Sequence, residues 1–187
     1  MKRKWKAMDL AVMGLLIALT IIASKYLKIE IGTMYRVNFS SAFIMLSGIW
    51  LGPIGGAIVG LISDLLGCVM AGYPINILYT LMPVMVGVFS GLGEPLFRKV
   101  KNRPVLSVFV YGLFILVLTF VASALYGTWA LSVYYGTPFL VNFPGRVVQG
   151  LITTVLNTTV VYLLYRSPVT AMLNSQTVQK RQPEKID

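Results

Sequence analysis

Three charged side chains fall inside or beside long apolar runs, where charge is costly and so points to a task. Arg36 opens the stretch RVNFSSAFIMLSGIWLGPIGGAIVGLISDLLG, and Asp64 lies near its end. Arg146 follows Asn142-Phe143-Pro144-Gly145. A charged side chain at mid-bilayer costs about 2.5–3.5 kcal/mol on insertion scales, so each should face protein, a cavity or a counter-charge rather than lipid. For the arginines the matching chemistry is capture of an anion, since a guanidinium pairs with a carboxylate through two hydrogen bonds. The alternative is an internal ion pair, for which Asp64 is the obvious partner of Arg146. Asn38, Asn76 and Asn142 could hydrogen-bond a polar ligand, but each also sits where caps and turns favour asparagine. Tyr73, Tyr79, Tyr111, Trp129 and Phe139 could stack on a planar ring, or serve as core and interfacial belt.

Catalysis has little to work with. The chain has no histidine and one cysteine, Cys68. Asp9, Glu30, Asp64 and Glu94 lie in separate segments, and no G-x-x-x-x-G-K-[ST] phosphate loop occurs. No metal site, resident cofactor or enzymatic activity is expected.

The elements that position these residues are membrane helices. The 187 residues are 57% hydrophobic and 12% charged, with mean hydropathy +0.78, against about 25% charged in soluble domains. Six spans are expected: Ala7 to Leu27, Phe39 to Leu51, Ile54 to Ala71, Ile75 to Leu92, Val105 to Tyr126 and Pro144 to Tyr165. The second is short for a crossing, so it either extends into the preceding loop or stops beside a cavity. Gly52-Pro53 should turn the second span back into the third. Beyond that turn Gly56, Gly60 and Asp64 recur at i, i+4 and i+8 and share one face. Pro83 should kink the fourth span. Asn142 reads as a helix cap with Pro144 in the first turn, which would put Arg146 against the helix dipole unless an anion sits there.

The expected architecture is an all-α, six-helix membrane bundle over 1–166, followed by a polar tail, 167–187. The net charge of +10 gathers in the N-terminal segment, the Arg98–Arg103 loop and the tail. An even span count puts all three on one side, which the positive-inside rule makes cytoplasmic. Anionic lipids, not nucleic acid, are the partners this charge implies. Lys25, Lys28 and Arg36 break the rule on the outer side, and attraction of an anion is the simplest reason. On the first span, Ala11, Gly14 and Ala18 form a small-residue face, suited either to packing within the bundle or to docking against another membrane protein.

Taken together, Tyr35-Arg36-Val37-Asn38-Phe39, Gly48-Ile49-Trp50-Leu51-Gly52-Pro53-Ile54-Gly55-Gly56, Asp64-Leu65-Leu66-Gly67, Tyr134-Tyr135-Gly136-Thr137-Pro138-Phe139 and Pro144-Gly145-Arg146 resemble a known family. It is that of the S components, the substrate-binding subunits of energy-coupling factor (ECF) vitamin transporters, and most closely the folate-specific FolT group. The resemblance implies a multi-pass protein of the bacterial plasma membrane that captures folate outside. It would deliver folate inward with an energising module of one membrane coupling subunit and two ATPase subunits. It implies a substrate site drawn from Arg36, Asn38, Asp64, Tyr79, Trp129, Phe139 and Arg146, and docking through Ala11, Gly14 and Ala18. The rival readings are an S component for riboflavin, thiamine or pantothenate, a small intramembrane enzyme, and a ligand-free structural subunit.

Overall fold

The computed structural model describes residues 5–26, 28–31, 35–72, 74–100, 103–167 and 170, and for 28–31, 35–38 and 104 the backbone only. Helix α1 spans Ala7–Tyr26. A two-stranded antiparallel hairpin follows, β1 (Lys28–Ile31) and β2 (Tyr35–Asn38), with Glu30 opposite Arg36. This hairpin is absent from the all-α expectation. Its backbone groups pair with each other, which satisfies them where the chain re-enters the apolar bundle.

Helix α2, Ser40–Ala71, folds back on itself. Gly52 takes φ 83°, ψ 176°, which an L side chain resists, and Pro53 cannot continue the incoming ladder. The two arms then run side by side: a Cβ placed on Gly56 would fall 2.8 Å from the Gly48 Cα. The hairpin expected at Gly52-Pro53 is therefore present. The first arm begins at Ser40, so it stops short beneath the strand hairpin instead of extending through it.

Helix α3, Ile77–Leu92, lies against both arms. It does so without intervening side chains. A Cβ on Gly87 would stand 3.0 Å from the Gly56 Cα, one on Gly60 2.8 Å from the Pro83 carbonyl carbon, and one on Gly91 2.7 Å from the Pro53 Cα. Helix α3 is continuous through Pro83, and the sharp bend comes at Gly93, where the axis turns 46° into α4, Glu94–Val100.

Helix α5, Pro104–Thr119, passes into a π-helical segment, Phe120–Gly127, and then α6, Thr128–Tyr135. This rod runs past the expected end at Tyr126 because Gly127 keeps helical φ −63°, ψ −36°, and it ends at Gly136, which takes φ 66°. Trp129 thus sits on a helix, not in a loop. Helix α7, Phe139–Arg166, begins before the expected start at Pro144 and carries that proline inside it. Asn142 is therefore no cap, and Arg146 lies beyond the first turn, away from the helix dipole's positive end.

Among the described residues, four helices are long and apolar enough to cross a membrane, and the bent α3–α4 pair makes a fifth candidate. Counting the two arms of α2 separately gives six helical passes. Their outer faces present Leu10, Leu15, Ile54, Phe109, Leu113 and Val155, as a lipid-facing surface would. One end of the bundle is closed by aromatic packing. Phe97 meets Tyr111 edge-on at 4.6 Å, Tyr111 meets Tyr165 at 5.7 Å, and the Tyr111 hydroxyl donates to the Phe97 carbonyl at 3.1 Å. Trp5 packs over Gly55 near the α2 turn, and Trp50 Nε1 donates to Thr170 Oγ1 at 3.2 Å. The N-terminal segment, the Gly52 turn, α4 and the end of α7 therefore share one end of the molecule. Most of the expected tail lies outside the described residues.

The glycine contact predicts its own disruption. Gly87→Ala should destabilise the protein by about 1–3 kcal/mol, because backbone cannot yield as a side chain can. Gly14→Ala, where nothing lies within 4 Å of the new methyl, should leave the unfolding midpoint in detergent almost unchanged. Equal midpoints for both variants would contradict the packing described.

Candidate functional site

The close approach of α2 and α3 leaves a cavity of about 540 Å³ between these helices and α1, on the side away from the Gly52 turn. Small residues make it. Ser40, Ser41, Ser63 and Gly67 line it on α2, and Thr20 and Ser24 on α1. Short side chains leave the space open, and their hydroxyls make it polar.

Among the described residues two charges line this cavity, Lys25 and Asp64. Lys25 Nζ donates to the Met70 carbonyl at 3.0 Å, where a cation complements the last turn of the second α2 arm. Asp64 Oδ2 accepts from Thr80 Oγ1 at 2.7 Å. A single hydroxyl partner leaves the carboxylate most of its acceptor capacity.

Arg146 reaches the same region from α7. Its Nη1 lies 3.5 Å from where a Gly127 side chain would begin, and the Met82 sulfur lies 3.2 Å from that point. The absent side chain at Gly127 is thus the space the guanidinium enters. Tyr79 and Met82 both line the cavity. The guanidinium sits beside the buried Tyr79 hydroxyl. No ion pair among the described residues joins Asp64 to Arg146. They face neighbouring positions of α3, Thr80 and Tyr79 respectively.

The remaining expected residues are distributed more widely. Arg36 and Asn38 lie on β2, which packs beside α7. Their side chains, like Tyr73, lie outside the described residues. Asn76 caps α3, its Oδ1 accepting from the Leu78 amide at 3.0 Å. Asn142 Nδ2 donates to Thr137 Oγ1 at 2.9 Å and pins the α6–α7 loop. Tyr111 is buried in the aromatic core. Trp129 is 48% exposed beside Tyr126, and Phe139 stacks on Phe143 at 5.4 Å. Neither lines the cavity. Ala11, Gly14 and Ala18 are exposed on α1, while Met13, Leu16 and Thr20 face inward. The small-residue face is therefore not used for packing within this bundle. Thr80 and the hydroxyl lining were not anticipated. Ser40-Ser41 at the head of a short apolar run was the available signal.

This arrangement can bind, hold charge and exclude lipid. A family model described as "ECF-type riboflavin transporter, S component" matches residues 4–166. The chain is similar in structure to FolT bound with folic acid, with TM-score 0.64, 21% identity, and coverage of 86% of this chain and 93% of that one. It is similar to the S component of a bacterial ECF transporter, with TM-score 0.65, 19% identity, and coverage of 88% and 97%. ThiT from Listeria monocytogenes aligns with TM-score 0.56, 13% identity, and coverage of 90% and 94%. These likenesses show the fold. No curated protein matches the chain by sequence.

The Asp64–Thr80 bond can be weighed directly. Thr80→Val should lower stability by about 1.5–3 kcal/mol, the range for a hydrogen bond to a charged group, measured by thermal unfolding in detergent. An unchanged midpoint would show that water in the cavity serves the carboxylate equally well.

Proposed function

We infer the function from one premise: the chain belongs to the ECF-type riboflavin transporter S component family. It is the vitamin-binding membrane subunit of an ECF transporter, a family whose members associate with an energising module. We propose folate as the vitamin. The observation that carries this reading is a pair of cations, Lys25 on the cavity wall and Arg146 beside its lining residues Tyr79 and Met82, neither ion-paired with Asp64 among the described residues.

Folate carries a dianionic glutamate tail on a planar, hydrogen-bonding ring. In the proposed mode Arg146 and Lys25 receive the tail carboxylates, and Arg36, on the strand beside α7, adds a third cation. Asp64, oriented by Thr80, accepts from the amino edge of the ring, and Tyr79 packs against its face. The cavity's hydroxyls replace water around the remaining polar atoms.

The end of the bundle that gathers the N-terminal segment, α4 and the end of α7 would face the cytoplasm, since basic segments stay inside. The cavity would then open outward in the cell membrane. The exposed Ala11, Gly14 and Ala18 face would dock the membrane coupling subunit, because small residues let helix backbones approach closely. ATP hydrolysis would belong to the separate ATPase subunits.

Riboflavin is the second reading, favoured by the family model's own description. The two differ in charge. Arg146→Ala should weaken folic acid binding by about 2–5 kcal/mol, the cost of removing one partner of a buried charge pair, while an electroneutral flavin should be almost unaffected. Titration of purified protein, followed by the fluorescence of Trp50 and Trp129, separates these outcomes. Equal folic acid affinity in parent and variant would contradict the folate assignment. Docking is tested separately: Gly14→Leu should abolish energised uptake and leave binding by the isolated subunit intact. Unimpaired uptake would remove α1 from the interface.

A further inference from the structure

Asn157 on α7 is 0% exposed, and among the described residues neither its amide nitrogen nor its oxygen has a hydrogen-bond partner. The Thr119 hydroxyl, on a residue 7% exposed, is unsatisfied in the same way. Both line a second chamber of about 80 Å³. Leaving such groups unpaired costs about 1–3 kcal/mol each, which a fold does not bear without reason.

The chamber's position supplies the reason. Ser41, Met82 and Val86 line both it and the main cavity, so the two spaces share a wall. Met82 is a flexible side chain that can shift without disturbing the helices. The far wall comes from Ala122 and Ser123 in the π-helical segment, a widened turn of the kind found at functional sites. Among the described residues, no charged side chain lines the chamber. A carboxylate entering it would lose its water without gaining a counter-ion, so the chamber favours an uncharged group.

We propose that Asn157 is a specificity-determining residue that reads the uncharged, amide-type edge of the vitamin's fused ring in this chamber. This rests on the vitamin-binding reading above. A carboxamide presents one donor and one acceptor side by side, and these complement an edge that offers an acceptor next to a donor. The chamber admits such an edge but not a whole ring system. The body of the ring therefore lies past Met82 in the main cavity, and its charged tail lies toward Lys25 and Arg146.

The test uses the full chain in detergent, titrated with folic acid and with riboflavin. Asn157→Leu should weaken the vitamin that the parent binds by about 10- to 100-fold. The ligand-free unfolding midpoint should stay level or rise, because an unsatisfied amide has been removed. Thr119→Val should weaken the same ligand several-fold, and it carries the test if Asn157→Leu does not fold. Unchanged affinity in the folded variants, with or without a lower ligand-free midpoint, would overturn the assignment and leave the amide a purely structural group. Failure of the parent to bind either vitamin would overturn both the assignment and the ligand reading beneath it. The two failures are thus distinguished by the parent alone.

Discussion

The packing of α3 against the two arms of α2, backbone on backbone, is the constraint on which the rest of the molecule depends. Lipid offers no hydrophobic drive for helices to associate, so close packing must hold them. Here Gly56 meets Gly87, Gly60 meets Pro83, and Gly91 meets Pro53. That contact fixes the rotation and depth of α3 relative to α2. It sets Thr80 against Asp64, and it puts Tyr79 and Met82 on the cavity wall. A methyl group between the helices would move each of these positions outward together.

A second ordering is electrical. Among the described residues, the charged groups of the interior gather in one part of it. Lys25 and Asp64 line the larger cavity and Arg146 lies beside its wall residue Met82, whereas the described side chains around the smaller chamber at Asn157 are all uncharged. Burying unpaired charge is the most expensive thing such a bundle can do. Grouping the charges around one space, with hydroxyls between them, keeps that cost local and gives a bound anion something to repay. An asymmetric interior of this kind also orients its occupant, since a charged end and a neutral end cannot exchange places at equal cost.

The parts of this design that local chemistry dictates could be read from the sequence. Gly52-Pro53 admits hardly any reading but a turn, and the i, i+4, i+8 recurrence of Gly56, Gly60 and Asp64 marks a close-packed face. Other features depend on partners far away in the chain. Pro144 looks like a helix start, yet α7 begins at Phe139 and carries the proline within, so Arg146 faces α3 rather than a helix end. The strand hairpin escaped notice because Lys28–Ile31 and Tyr35–Asn38 are each too short for alternation to stand out. Nothing in Leu156-Asn157-Thr158 says that this asparagine is fully buried. Its depth follows from where α5 and the π-helical segment pass. The exposure of Trp129 likewise depends on a helical rod that continues to Tyr135.

The folate proposal requires the cavity between α1, α2 and α3 to hold a vitamin with a fused ring and an anionic tail. The most direct measurement is the absorption spectrum of the small-molecule extract from protein purified out of a folate-containing host and then denatured. Pterin bands in near-stoichiometric amount are the result expected of a folate-binding subunit. A flavin spectrum, or an extract with no absorbing small molecule, would contradict that proposal.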